Sequence, residues 1–372
     1  MKHEDYRPVK TKEFEDDWVV FPVDGYGNET ILRQIMDNEK PDAIWFITDP
    51  RFYVWLFNMA DEIRDRGIPL FYYHVWDNKP TPIFNKQFYS ACDFIGCISK
   101  VTHEIVTELG FGGSSAYIPH AVDPNIFKPF TQEETFKVRA QVLKENANKF
   151  TIFYNSRNAR RKMTADVLKA FRGLLDVVGE DKAFLFMHTD PHDQEGSNLI
   201  EVAKMLKIMP NQLVFSNQRI PPDQMAMLYN AADITMNISN NEGFGLSCLE
   251  SLSCGTPVIV NKTGGLQDQA VDDKGNVFGV MLEPASRSIQ GSQQIPYIYD
   301  DRPSDKELVE SLIHMYKMSD KDRVELGNAA REWTLKRFSM TDLVGQWDTA
   351  LETYITKYKE KGNSSRVKIN KV

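Results

Sequence analysis

Two glutamates stand on either side of a glycine-aromatic-glycine turn in residues 240–260, NNEGFGLSCLESLSCGTPVIV: Glu242 just before it and Glu250 in the run that follows. Three readings are open: a reacting pair, two separate ligand contacts, or the polar trim of a helix start. Eight helical residues at ~1.5 Å rise each would hold the two roughly 12 Å apart. Paired carboxylates in glycoside hydrolysis span only ~5 to 9.5 Å, so the spacing favours two separate contacts. Gly243 and Gly245 let the backbone turn at little steric cost and leave no side chain to hold a ligand away. The N–H groups of such a turn, with the positive end of a helix starting near Gly245, suit an anionic or hydroxyl-rich ligand.

A second constellation lies in residues 155–171, NSRNARRKMTADVLKAF, where Arg157 and Lys162 flank a short loop together with Arg160 and Arg161. Arginine can hold a phosphate through two parallel bonds, lysine adds a compact charge, and each charge-assisted bond is worth about 1.5 to 3 kcal/mol. A diphosphate is the natural anion for this set. A solubilising basic face is the alternative; against it, this loop and the Glu242 loop both follow strands of one expected sheet and so open on one edge.

Those strands belong to an alternating series. Apolar or β-branched runs at 18–23, 43–48, 70–75, 94–99 and 115–120 are interleaved with helical patterns near 28–38, 51–66, 82–92 and 100–109. A second series has strands at 150–156, 183–188, 212–217, 234–239, 257–262 and 278–282, with helices near 163–178, 195–207, 222–231, 245–254 and 265–273. Alternation of this kind predicts two doubly wound, Rossmann-like α/β domains, facing a cleft into which the carboxyl ends of the strands open. The expected domains are 1–130, a linker at 131–148, a second domain at 149–335, and 336–372 as a helix crossing back to the first domain followed by a polar, basic tail. Residues 285–304 read as a long polar loop, and helical pattern runs from about 305 to 359, with Ser339 able to cap a new helix.

Composition narrows the function classes. The 372 residues carry a net charge of -8, which argues against broad nucleic-acid binding. No apolar run approaches the ~20 residues of a membrane helix, and the start MKHEDYRPVK has no signal-peptide core. A cytoplasmic chain, with room for peripheral membrane contact, is the expectation. Cys92, Cys97, Cys248 and Cys254 match neither a zinc knuckle nor a redox CxxC, the seven histidines form no close ligand pair, and the aspartate pairs at 16, 272 and 300 read as surface loops. No metal site and no cofactor are expected.

The series IPHAVDPNIFKP (118–129), SRNARRK (156–162) and MLYNAADITMNISNNEGFGLSCLESLSCGTPVIVNKTGG (227–265) resembles the retaining glycosyltransferases of the GT-B fold, family four (glycosyl transferases group 1). The resemblance implies transfer of a sugar from a nucleotide-diphosphate sugar to an acceptor hydroxyl of a glycan, lipid or protein, without a metal, by front-face attack in which the departing phosphate helps deprotonate the acceptor. It implies that Arg157 and Lys162 hold the diphosphate, Glu242 sits beside the transferred sugar, and Glu250 binds the ribose. It places Ser239, Gly243 and the backbone of Phe244, Gly245 and Leu246 against the donor, the nucleobase edge near Gln218, Arg219 and Ile220, and His74 on the acceptor side. Measured against the family, the first domain is expected to lack the usual opening strand and glycine-rich loop, with five strands in place of about seven. A GT-B-like binding or scaffold protein without catalysis is the alternative, and a sugar-nucleotide epimerase a third reading.

Overall fold

A computed structural model describes residues 9–10, 19–21 and 23–361. Trp18 and Pro22 of the first strand candidate, the aspartate pair at 16, and the tail beyond 361 lie outside the described residues. The chain divides into two compact units. One takes the chain up to His74, Phe84–Ile95 and the segment from Thr349 on; the other takes Val75–Ile83 and Gly96–Asp348.

The short strands β1 (Val9–Lys10) and β2 (Val19–Val20) pair antiparallel with each other. Each of the five expected strands coincides with a strand, but β2 stands outside the first large sheet, which among the described residues has four, β3 (Ile44–Ile47), β4 (Leu70–His74), β5 (Phe94–Cys97) and β6 (Ser115–Tyr117), in that order. Val19 and Val20 pair with Val9–Lys10 and are exposed, so β2 is no part of that sheet. Helices α1 (Glu29–Glu39), α2 (Val54–Asn58), α3 (Ala60–Asp65), α4 (Lys86–Ala91) and α5 (Lys100–Glu108) fill the gaps. Ser99 caps α5, accepting from the Thr102 amide at 3.2 Å while Thr102 Oγ1 accepts from the Ser99 amide at 3.0 Å.

The second sheet has the order β12-β11-β10-β7-β8-β9 and is parallel throughout, with β7 (Phe150–Asn155), β8 (Ala183–His188), β9 (Leu213–Ser216), β10 (Ile234–Asn237), β11 (Val258–Asn261) and β12 (Gly279–Leu282). Its helices are α6 (Gln132–Leu143), α7 (Thr164–Val178), α8 (Leu199–Met205), α9 (Pro222–Ala231), α10 (Leu246–Ser253) and α11 (Leu266–Gln269). Helix α7 shows why they pack: Val167, Leu168, Phe171, Leu174 and Leu175 recur at helical spacing and are each at most 1% exposed. Full burial is worth about 1.5 to 3 kcal/mol per such side chain, so Phe171→Ala would loosen the helix from the sheet at a cost of ~3 to 5 kcal/mol. Segment 131–148 is also structured. Thr131 and Glu134 form a capping box at the start of α6, and Arg139 donates to the carbonyls of Ala147, Lys149 and Ala231.

The stretch expected as a polar loop at 285–304 is a hairpin, β13 (Ser286–Gln290) with β14 (Ile298–Arg302), closed around Ser292, whose amide donates to the Ile295 carbonyl at 2.7 Å. β13 is exposed along its whole length and both strands are mostly polar, so the apolar signature of a strand is missing. The reading of aspartates 300 and 301 as surface is corrected: Asp301 is 1% exposed and accepts from Asn78 Nδ2 at 2.8 Å and Thr263 Oγ1 at 2.9 Å. Three helices follow among the described residues, α12 (Asp305–Lys317), α13 (Asp320–Arg337) and α14 (Met340–Lys361). Ser339 accepts from the Asp342 amide as expected, and Ser319 provides a further cap at the start of α13.

Candidate active site

The site begins with strand order. β7 and β10 are neighbours, so the loops that leave Asn155 and Asn237 emerge side by side. The two loops are stitched together: the Asn240 amide donates to the Arg161 carbonyl at 2.7 Å, and Arg161 Nη1 donates to the Asn241 carbonyl at 2.9 Å. Behind Glu242 the turn of Gly264 and Gly265 closes in. The Gly265 amide donates to the Glu242 carbonyl at 2.9 Å, and a Cβ on Gly264, whose φ is +45°, would lie 1.9 Å from that oxygen. Gly245, with φ +91°, similarly leaves only 2.5 Å between an added Cβ and Leu266 Cδ2. The loop conformation therefore depends on glycine at both places. On its other side, β14 braces it: the Asp301 amide donates to the Asn240 carbonyl at 2.9 Å, and the Asn241 side-chain amide donates to Asp300 at 2.6 Å.

Glu242 is 7% exposed. Its Oε2 accepts from Lys162 Nζ, lies 3.2 Å from Ser239 Oγ and stands 3.8 Å from Arg161 Nη1. Burial pushes the carboxyl up, yet the charges of Lys162 and Arg161 and the hydrogen bonds from Lys162 and Ser239 outweigh it and hold Glu242 below its ordinary value. It is a fixed carboxylate.

Glu250, on α10, has a different setting. Its Oε2 accepts from the Tyr229 hydroxyl at 2.6 Å, and Asn155 Nδ2 donates to that hydroxyl at 2.8 Å. With no cation in the set, burial dominates over the tyrosine bond and pushes the carboxyl up to about 7. The solvated-helix reading of Glu250 does not fit this half-buried, hydrogen-bonded carboxyl.

The basic loop is split in use. Lys162 is spent on Glu242, whereas Arg157 is exposed and forks onto Asp193, with Nε to Oδ2 at 2.6 Å and Nη2 to Oδ1 at 3.0 Å. The loop is tied to the β8 side by the Arg160 amide, which donates to the Glu195 carbonyl at 3.0 Å, and by buried Asn158, which donates to the Ser197 carbonyl at 2.7 Å. Arg157, Lys162, Glu242 and Glu250 thus all stand at the carboxyl ends of β7 and β10 or on α10 directly after.

Of the other expected residues, Ser239 is wholly buried, with its hydroxyl 2.7 Å from Asn237 Oδ1. Gly243 lies so close to the chain at 75–77 that a Cβ would stand 2.9 Å from the Val75 carbonyl oxygen. Phe244 is buried against His120 and Phe338, and its carbonyl accepts from Gln269 at 2.7 Å. Leu246 is exposed at the first turn of α10, where amides have no intrahelical partner. Gln218 and Arg219 are exposed and Ile220 half-buried in the loop after the edge strand β9. His74, on β4, is wholly buried, with Nε2 2.6 Å from the Tyr89 hydroxyl, and burial lowers it to about 3, so it is neutral. None of the four cysteines is in a disulfide, and burial pushes their thiols up. Among the described residues, no three His, Cys, Asp or Glu side chains are grouped to hold a metal ion, and no helix is long and apolar enough to cross a membrane.

Sequence reasoning missed Tyr229, Asn155, the role of Gly264 and Gly265, and the bracing aspartates. Only the glycine pair carried a signal, since adjacent glycines after a strand mark a close backbone approach.

Likeness to known proteins bears on the family and the fold. The chain is 29% identical over 198 residues to the alpha-monoglucosyldiacylglycerol synthase of Streptococcus pneumoniae, covering 53% of this chain and 43% of that protein. It is 46% identical over 63 residues to the D-inositol 3-phosphate glycosyltransferase of Streptosporangium roseum, covering 17% of this chain and 14% of that protein. The matches thus span less than half the length of these curated relatives. The fold is that of a solved Anabaena protein, HepE, in complex with UDP and glucose (TM-score 0.67, 17% identity, 87% of this chain and 81% of that one). It is also that of the sucrose-phosphate synthase of Thermosynechococcus elongatus (TM-score 0.63, 16% identity, 89% and 76%). At such identities the likeness shows the fold alone: two Rossmann-like α/β domains of GT-B architecture. The model of the family "Glycosyl transferases group 1" matches residues 136–333, more than half of the chain and every residue of the Glu242, Glu250 and Lys162 cluster, and the protein belongs to that family.

Proposed function

We propose that the protein transfers a sugar from a nucleotide-diphosphate sugar to an acceptor hydroxyl with retention of configuration, by front-face attack and without a metal ion. The observation that carries this reading is the ionised, buried Glu242 held by Lys162 within one hydrogen-bonded pair of loops, with Glu250 on the helix that follows. A transferred sugar develops positive charge at its anomeric carbon, which a fixed carboxylate stabilises; the leaving diphosphate develops negative charge, which Lys162, Arg157 and the first-turn amides of α10 can take without an ion. Glu250 is then the ribose contact, Gln218 to Ile220 the base edge, and His74 an acceptor-side residue. The departing phosphate accepts the acceptor's proton, so no protein nucleophile is needed.

The test is release of nucleoside diphosphate from a panel of sugar nucleotides, UDP-glucose first, with polyol and diacylglycerol-glycoside acceptors. Product stereochemistry and insensitivity to EDTA check the finer parts. Absence of both binding and turnover with every donor would overturn the reading; tight binding without transfer would leave a donor-binding protein.

A further inference from the structure

The donor-binding reading creates a difficulty at Glu242. Lys162 is the cation in direct contact with this buried carboxylate, and the same lysine is asked to meet the donor's diphosphate. If it turns toward the phosphates, a carboxylate 7% exposed loses its hydrogen-bonded counter-charge, and a buried charge without compensation is strongly disfavoured.

Arg161 resolves this. Its guanidinium donates to the Asn241 carbonyl at 2.9 Å and stands 3.8 Å from Glu242 Oε2 through Nη1 and 3.8 Å from Asp77 Oδ2 through Nε. The group is bracketed by two carboxylates and fastened to the loop that carries one of them. That loop is itself anchored, since Asn240 and Asn241 both donate side-chain amides to Asp300. Lys162 has a flexible stem and a single carboxylate partner; Arg161 has a planar fork already in use on the protein.

We propose that Arg161 is a positioning residue for Glu242: held by the Asn241 carbonyl and Asp77, it stays as the counter-charge that keeps Glu242 ionised and in place while Lys162 turns to the diphosphate. The groups that act on Glu242 are Lys162 and Arg161 from the basic loop, Ser239 from its own loop, Tyr154 from β7 and Cys248 from α10. Asp77 and Asp300 act on Arg161. Tyr154 and Cys248 are both driven toward their neutral forms by burial, so the two cations supply the charge that holds Glu242 down.

The role of Arg161 rests on the transfer reading only for its effect on turnover, so the test has two arms. In the first, carboxyl carbons of the intact, ligand-free protein are titrated by NMR, with Glu242 identified by its loss in Glu242→Gln. Arg161→Ala should move the Glu242 titration upward by roughly one pH unit. Asp77→Asn leaves the guanidinium fastened by the closer Asn241 carbonyl, with one carboxylate fewer to share it, and should move the titration downward. General loosening of the loop would move both variants the same way.

In the second arm, the nucleoside diphosphate that the wild type binds, chosen from UDP, GDP and ADP, is measured by calorimetry beside turnover. Arg161→Ala should lower kcat by roughly 10- to 100-fold and shift the acid limb of the rate profile upward, with nucleotide affinity changed less than about 3-fold. Lys162→Ala should lose affinity instead. An equal loss of nucleotide affinity in both variants would make Arg161 a phosphate ligand and overturn the inference, as would an unmoved Glu242 titration. Should the wild type turn over no donor while the two titrations move as stated, the transfer reading fails and the positioning of Glu242 stands.

Discussion

Glu242 and Glu250 are both shielded from water and both hydrogen-bonded, yet their protonation is driven in opposite directions. Glu242 faces Lys162 and Arg161 and is held low; Glu250 faces a tyrosine hydroxyl and rises to about 7. Desolvation acts upward on both, so the difference is the counter-charge. A carboxylate meant to stay charged beside a developing cation needs neighbouring cations; one that accepts from a neutral hydroxyl does not. On the proposed reading the two carboxyls are two ends of one ligand grip, Glu242 as a fixed charge and Glu250 as a hydrogen-bonding partner.

The sharpest way to break this comparison is to neutralise each carboxylate in turn. Glu242→Gln should lower turnover by ~10²- to 10³-fold or more, the scale of losing one preorganised electrostatic contact, while nucleoside diphosphate affinity stays within a few-fold of wild type by calorimetry. Glu250→Ala should weaken that affinity by ~10- to 100-fold, the range for losing hydrogen bonds to a charged group, with KM raised more than kcat is lowered. Equal effects of both substitutions on kcat and affinity would erase the division of labour.

A smaller effect appears in stability against pH. Glu250 has a folded value of about 7, above the ordinary carboxylate value of 4.5. Between those limits the folded protein keeps a proton that the unfolded chain has released, so this group's contribution to stability falls as pH rises toward 7. Glu242 has the opposite sign: its folded value lies below 4.5, so its stabilisation is present above that pH and is lost as pH falls through the folded value. Glu250→Gln should accordingly gain melting temperature relative to wild type between pH 5 and pH 8, whereas Glu242→Gln should lose it at neutral pH and approach wild type in acid. Parallel shifts of the two variants would mean that counter-charge does not separate them.

What was legible follows from how each feature is encoded. Strands such as FTIFYN and AFLFMH declare themselves by continuous apolar and β-branched composition, and the Glu242 loop by glycines where the backbone must reverse. The split between Arg157 on Asp193 and Lys162 on Glu242 was hidden, because it depends on which carboxylates the neighbouring loops of β8 and β10 bring near. Tyr229 was hidden for the same reason: its hydroxyl meets Glu250 only because α9 and α10 pack on the sheet together. The hairpin 286–302 had no apolar period to betray it, and Asp301 reads as a surface residue until Asn78, Thr263 and Arg287 are seen to close around it.

Tyr229→Phe probes the comparison at its finest grain. The phenyl ring keeps the packing of a side chain that is fully buried, and only the hydroxyl that donates to Glu250 is lost. Burial first, and then the adjacent carboxylate, push that hydroxyl well above its ordinary value, so in the wild type it is a neutral donor that favours the charged form of Glu250. Its removal should raise the Glu250 carboxyl further, leaving less carboxylate at pH 7 to accept from a ribose hydroxyl. Nucleoside diphosphate affinity should then fall by roughly 2- to 10-fold at pH 7, the worth of one net hydrogen bond, and the deficit should shrink toward pH 9, where Glu250 is ionised in both proteins. A deficit of the same size at pH 9 would place the tyrosine's role in geometry, and the contrast between the two glutamates would then rest on Lys162 and Arg161 alone.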